Sequence, residues 1–148
     1  MNKSKTLATW IALLGGSLGL HRFYLFGARD VWGWLFILPT LVGAYGVYRM
    51  RELGQDDILA WLLIPLLGFA LAASMLNAVV FGLRADDKWN AQFNAQISTT
   101  TPCTSGWQAI VGVIFALLIG TGVLMATIAF SAQRYFEYQV EAAPAAGR

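Results

Sequence analysis

Of 148 residues, 57% are hydrophobic and 12% charged, against roughly a quarter charged in soluble domains, which excludes an ordinary water-soluble core and indicates a membrane chain about one domain long. A net charge of +2 without a clustered basic face excludes nucleic acid as a partner. The single cysteine, Cys103, excludes an internal disulfide and any multi-cysteine metal site.

The chain opens MNKSKTLATWIALL, with two lysines before an apolar run, as a secretory signal does. No small-residue cleavage site follows, and further apolar blocks do, so the segment reads as a retained membrane element. The apolar blocks are 7–20, 31–48, 58–83 and 107–130. At 1.5 Å per residue the first covers only about 21 Å of a ~30 Å hydrocarbon core, unless HRFYLF continues it to the far interface. Taken as one unit, 7–26 places His21 and Arg22 at headgroup level, with Phe23 and Tyr24 as anchors.

The short GARD link then turns the chain into the second block, and RMRELGQDD into the third. In the second link Glu52, Asp56 and Asp57 face Arg49 and Arg51 as a solvated, salt-linked turn. The long link 84–106 sets Trp89, Phe93 and Ile97 at four-residue spacing, an amphipathic stripe expected to lie in the interface, before a polar stretch that holds Cys103. After the fourth block, 131–148 reads as an aromatic collar and a frayed tail. The fold expected is an all-α integral membrane helical bundle of about four transmembrane helices, near 7–26, 31–48, 58–83 and 107–130, plus a short interfacial helix.

Alternate sidedness would put Lys3, Lys5, Arg49, Arg51, Arg134 and Arg148 on one side and Arg22, Arg29, Arg84 and Lys88 on the other. The bias favours both termini in the cytoplasm, with the chain in an inner membrane. Small residues recur at four-residue spacing: Ala70, Ser74, Ala78 and Gly82 in the third block, Gly15 and Gly19 (beside Gly16) in the first, Ala116 and Gly120 in the fourth. Such stripes let helices approach closely, within the chain, in self-association, or against another membrane protein. Asn77 is expected to hydrogen-bond across a helix contact, and Pro39 and Pro65 to break the backbone ladders of their helices.

Following Lys3 and Lys5, the residues Gly16, Gly19, His21, Arg22, Phe23, Tyr24, Leu25 and Gly27 resemble the signature G-x-x-G-x-H-R-F-Y-L-G of the bacterial TM-two domain family, with Phe26 inserted before the last glycine. The resemblance covers 3–48 well and 58–83 loosely, and implies a membrane domain over 3–83 with 107–130 as an added helix. Relatives often carry an acid shortly after a tryptophan in the later block; here Trp61 is followed by Pro65 and no acid. The family implies no reaction, its bacterial members being small membrane proteins of unknown function.

From the residues, HRFY is either a structural clasp or a site for a ligand, proton or lipid headgroup. One histidine and one cysteine, the latter with no base near it in sequence, leave no catalytic set, so no enzyme activity, cofactor or metal is expected. The function expected is that of a non-enzymatic packing or accessory subunit of a larger membrane assembly, in contact with the bilayer and a membrane-protein partner or a second copy. A small transporter or channel, and an anionic-headgroup sensor using HRFY, are the alternatives.

Overall fold

The computed structural model describes residues 2–95 and 104–146, with side chains to 140. These residues are helical throughout apart from short links. In order they form α1 (Lys5–Gly15), a 3-10 turn (Gly16–Leu18), α2 (Leu20–Phe26), α3 (Val31–Leu53), α4 (Ile58–Leu83), α5 (Asp86–Phe93) and α6 (Trp107–Ala146). Three helices, α3, α4 and α6, are long and apolar enough to cross a membrane.

The first block differs from the expectation of one crossing at 7–26. Ser4 caps α1 by accepting from the Leu7 amide. The helix then runs 11 residues, about 16 Å, or half a hydrocarbon core. There the chain turns through Gly16–Leu18 and reverses at Gly19, whose φ of +72° is left-handed. α2 climbs back beside α1 until the Ser4 amide donates to the Tyr24 hydroxyl at 3.0 Å and the Lys3 ammonium donates to the Leu25 carbonyl. Both ends of this hairpin therefore lie at one end of the bundle. The glycines that sequence analysis read as a packing stripe also make the reversal: a Cβ on Gly19 would collide with the Gly33 carbonyl, and one on Gly16 would stand 2.6 Å from Ser74 Cβ.

The remaining helices alternate. α3 leaves the hairpin's open end, α4 returns along it with Gly46 within 2.7 Å, at Cβ level, of Leu63, and α6 runs antiparallel to α4 from Val113 beside Gly82 to Arg134 beside Trp61. Lys3 and Arg134 consequently lie at opposite ends of the bundle. Among the described residues three helices long enough to cross stand where about four were expected; Arg148 lies outside the described residues.

The small stripe of α4 faces inward. Ala70, Ser74 and Ala78 are buried, and a Cβ on Gly82 would meet Val113 and Thr9. Ala78 joins Ala12, Leu13, Met75 and Ala116 in the core where α1, α4 and α6 meet. A Cβ on Gly120 would stand 2.7 Å from Met75 Cβ, while one on Gly15 would meet Leu20 of α2. Asn77 differs from its expectation: its amide donates to Ala73, four residues back on its own helix, at 3.0 Å.

The two links entering α3 and α4 share one construction. In each, an arginine five residues before the glycine that ends the preceding helix pairs with the aspartate that precedes the next: Arg22 Nε to Asp30 Oδ2 at 2.6 Å, and Arg49 Nε to Asp57 Oδ2 at 2.8 Å. A glycine at φ +86° (Gly27) or +93° (Gly54) ends the helix, its amide donating four residues back to Phe23 or Met50. A tryptophan one turn into the next helix donates to the link: Trp34 to the Ala28 carbonyl at 3.0 Å, Trp61 to that of Gln55 at 2.7 Å. The guanidinium hydrogen bond holds each aspartate below the usual carboxylate range.

If Gly19 makes the reversal, Gly19→Ala will lower unfolding stability in detergent by about 2 kcal/mol or more, from left-handed strain plus collision. Gly122, exposed on α6 with nothing within 4 Å of a Cβ, provides the contrast: Gly122→Ala should be neutral or gain up to ~1 kcal/mol. Melting both beside wild type tests the difference.

Candidate functional site

The HRFY segment lies on α2, pressed between α3, α4 and α5, and each of its side chains has a different setting. His21 is 0% exposed. Its ring stands edge-on to Phe36 at 5.5 Å and 5.8 Å from Phe81, and a Cβ on Gly16 would lie 3.4 Å from Nδ1. Among the described residues neither ring nitrogen has a hydrogen-bond partner. Flanked by these two rings and with no bond to either nitrogen, the imidazole carries the cost of buried polar atoms without the bonds that normally offset it.

Arg22, expected at headgroup level, pairs with Asp30 and lies 5.0 Å from the Phe26 ring. Phe23 packs where Gly33 has no side chain and tilts against Trp34 at 5.4 Å. Tyr24 accepts from the Ser4 amide. The four residues thus sit together on one short helix without converging: His21 faces the core, Arg22 the first link, Phe23 the start of α3 and Tyr24 the N-terminal segment.

A polar clasp closes the open end of the hairpin. Lys5, 6% exposed, donates to the Arg84 carbonyl at 2.7 Å and pairs with Asp86 at 2.6 Å. The Lys3 amide donates to Asn94 Oδ1 at 2.8 Å, and the Lys3 carbonyl accepts from the Trp89 indole at 2.8 Å. Trp89 is 0% exposed, packed with Ala8 and Leu25 and lying 4.5 Å from the Phe93 ring.

The helix expected to be interfacial forms as α5 and covers the hairpin, its largest side chain, Trp89, buried against Ala8 and Leu25. Ile97 and Cys103 lie outside the described residues. Lys3 and Lys5, expected across the membrane from Arg84 and Lys88, stand at the same end as Arg84.

The salt-linked turn expected of the second link is present, Arg49 pairing with Asp57; the matching pair in the first link and this clasp were not expected. The links had a legible signal: Arg-x4-Gly-x2-Asp-x3-Trp occurs from Arg22 to Trp34 and again from Arg49 to Trp61. The clasp had none, since Lys3, Lys5, Asp86 and Trp89 meet only because the hairpin folds back.

Two outcomes follow from these contacts. Hydrogen bonds from Lys5 and then Ser105 lower the Asp86 carboxyl from 3.8 to about 2. A depressed carboxylate contributes stability above its ordinary value and loses it as pH falls through the folded value. The melting difference between wild type and Asp86→Asn should therefore persist at about pH 4 and vanish only toward pH 2. For His21, substitution by leucine removes two unpartnered polar atoms and should raise stability by about 1 kcal/mol, read by the same melt; a fall would indicate that the imidazole holds a bond.

No protein-family model matches the chain, and neither does any curated protein or solved structure.

Proposed function

We propose that this chain is a non-enzymatic integral membrane protein that crosses the bilayer with α3, α4 and α6, carries α1 and α2 as a re-entrant hairpin, and serves as an accessory or packing subunit of a larger membrane assembly. The observation that carries the reading is the outer face of α6. Only 22% of the most apolar stretch of each long helix is buried within the chain. On α6, Gly122 and Ala126 are exposed one turn apart, and a Cβ on Gly122 would have open space around it.

Helices that face only lipid have no need of small residues, whereas helix contacts in lipid depend on them. The α4 stripe is occupied by α1 and α6, so the partner-facing candidate is this surface of α6. The resemblance to the TM-two family supports a small bacterial inner-membrane protein of this kind.

Lys3, Lys5, Arg22, Arg29, Arg84 and Lys88 lie at the hairpin end, while Arg49, Arg51 and Arg134 lie at the other. The excess of cations supports a cytoplasmic hairpin end and a far end of α6 on the opposite side. An orientation with both termini cytoplasmic does not fit three crossings.

One observation favours a second reading, as a small transporter or channel: a hairpin entering half a membrane with a fully buried, unpartnered histidine is the type of element that lines transport sites. The clasp reading accounts for the same hairpin through the sealed packing of Gly16 on Ser74 and of Trp89 of α5 on Ala8 and Leu25. An HRFY headgroup sensor would require Arg22 to leave Asp30.

Gentle extraction, cross-linking and mass spectrometry should recover a stoichiometric membrane partner. Gly122→Leu should lose that partner at least tenfold while melting like wild type. Recovery of wild type only as a monomer overturns the reading, and polar thiol reagents reaching a cysteine at Ser17 from the far side would favour transport instead.

A further inference from the structure

We propose that the groove between the start of α4 and the last third of α6 holds one anionic phospholipid, its acyl chain along α4 and its phosphate on Arg134. The inference rests on the membrane placement proposed above. Ile58, Leu62, Pro65 and Phe69 of α4 face Arg134 and Tyr138 of α6 across a hollow of about 530 Å³.

Three features define the occupant. The first is depth: Ile58 to Phe69 rises about 16 Å along the helix, half of a ~30 Å hydrocarbon core. That matches the chain of a lipid in one leaflet. Past Phe69 the apolar hollow continues between α4 and α6 to Val79 with no charged group along it, so it is the cation at this end that distinguishes a lipid headgroup from a partner helix.

The second is the cation at the mouth. Arg134 stacks at 5.0 Å on Trp61 and 5.7 Å on Phe130, with its side chain 13% exposed. One nitrogen pairs with Glu137 at 2.7 Å. A guanidinium has five N–H donors in a planar fork, so donors remain for a phosphate. The third feature is the lining. The groove is apolar along α4, and its polar groups, Ser131, Tyr135 and the two residues facing α4, gather on the α6 side, as amphipathic anchors do where a bilayer meets water. Of the cations at this end, Arg49 is held on two nitrogens by Asp57 at 2.8 and 3.0 Å and neither it nor Arg51 lines the groove, whereas Arg134 does.

Glu137, its side chain 40% exposed, competes with the phosphate for the guanidinium. That competition supplies a test in both directions. The full chain is equilibrated with detergent micelles doped with equal amounts of phosphatidylglycerol and phosphatidylcholine, and retained lipids are counted by native mass spectrometry.

Wild type should retain one phosphatidylglycerol in preference to phosphatidylcholine by about fivefold, less at high salt. Arg134→Gln should bring the ratio to about one, Glu137→Gln should raise it, and Ser131→Trp, which fills the groove, should lose the retained lipid. A gain in Glu137→Gln cannot come from misfolding. Equal retention of the two lipids by wild type, or a ratio unmoved by both Arg134→Gln and Glu137→Gln, overturns the lipid site. Release of the chain from membranes by alkaline carbonate would instead overturn the membrane placement, so the two failures are distinguishable.

Discussion

The close approach of Gly16 to Ser74 and of Gly19 to Gly33 is the constraint on which the rest of the molecule depends. A helix that stops inside an apolar layer exposes carbonyls with no partner, and water is absent to take them. In the re-entrant placement proposed above, the stop is tolerated because the turn lies against neighbouring backbone and side chains. The Thr40 hydroxyl donates to the Ser17 carbonyl at 2.7 Å while also bonding Phe36 at 3.0 Å. Without side chains at the two glycines the hairpin can sit deep enough for that bond. The depth then brings Lys3 to Leu25 and Trp89, and the clasp follows.

The paired links show how the same chain solves one problem at opposite ends. Reversing between two apolar helices leaves their terminal carbonyls and amides unpaired. Arg22 with Asp30 and Arg49 with Asp57 place a charged pair in each reversal, while Trp34 and Trp61 reach back to cover a carbonyl. Each ion pair is partly exposed, so its net worth is small. Its geometric role is larger, since an arginine fork and an indole donor together set the register of the incoming helix.

Helix content, the long apolar stretches and their short links were legible because composition and block length report directly on solvent. The stripe of α4 was legible as a packing face because the period of a helix places Ala70, Ser74 and Ala78 together. The first block was not, for its residues are as apolar as a crossing helix; only the left-handed backbone at Gly19 distinguishes a reversal from a continuation. The stripe of α5 was legible in part: Trp89 and Phe93 do share a face, but amphipathicity cannot tell a bilayer surface from a cavity of similar polarity. The motif residues His21 to Tyr24 were recognised as a unit, whereas their divergent contacts depend on three other helices that no local spacing encodes.

The length of α6 has a mechanical corollary. From Arg134 to its end at Ala146 the helix rises about 18 Å, beyond the ring contacts that fix its depth at Trp61. With α6 crossing the bilayer as proposed, a rod of that kind would keep its tip at a set height over the membrane plane, and any tilt of the crossing segment would be passed outward as a sideways swing. Whatever engages that tip would sense the attitude of the buried bundle without touching it.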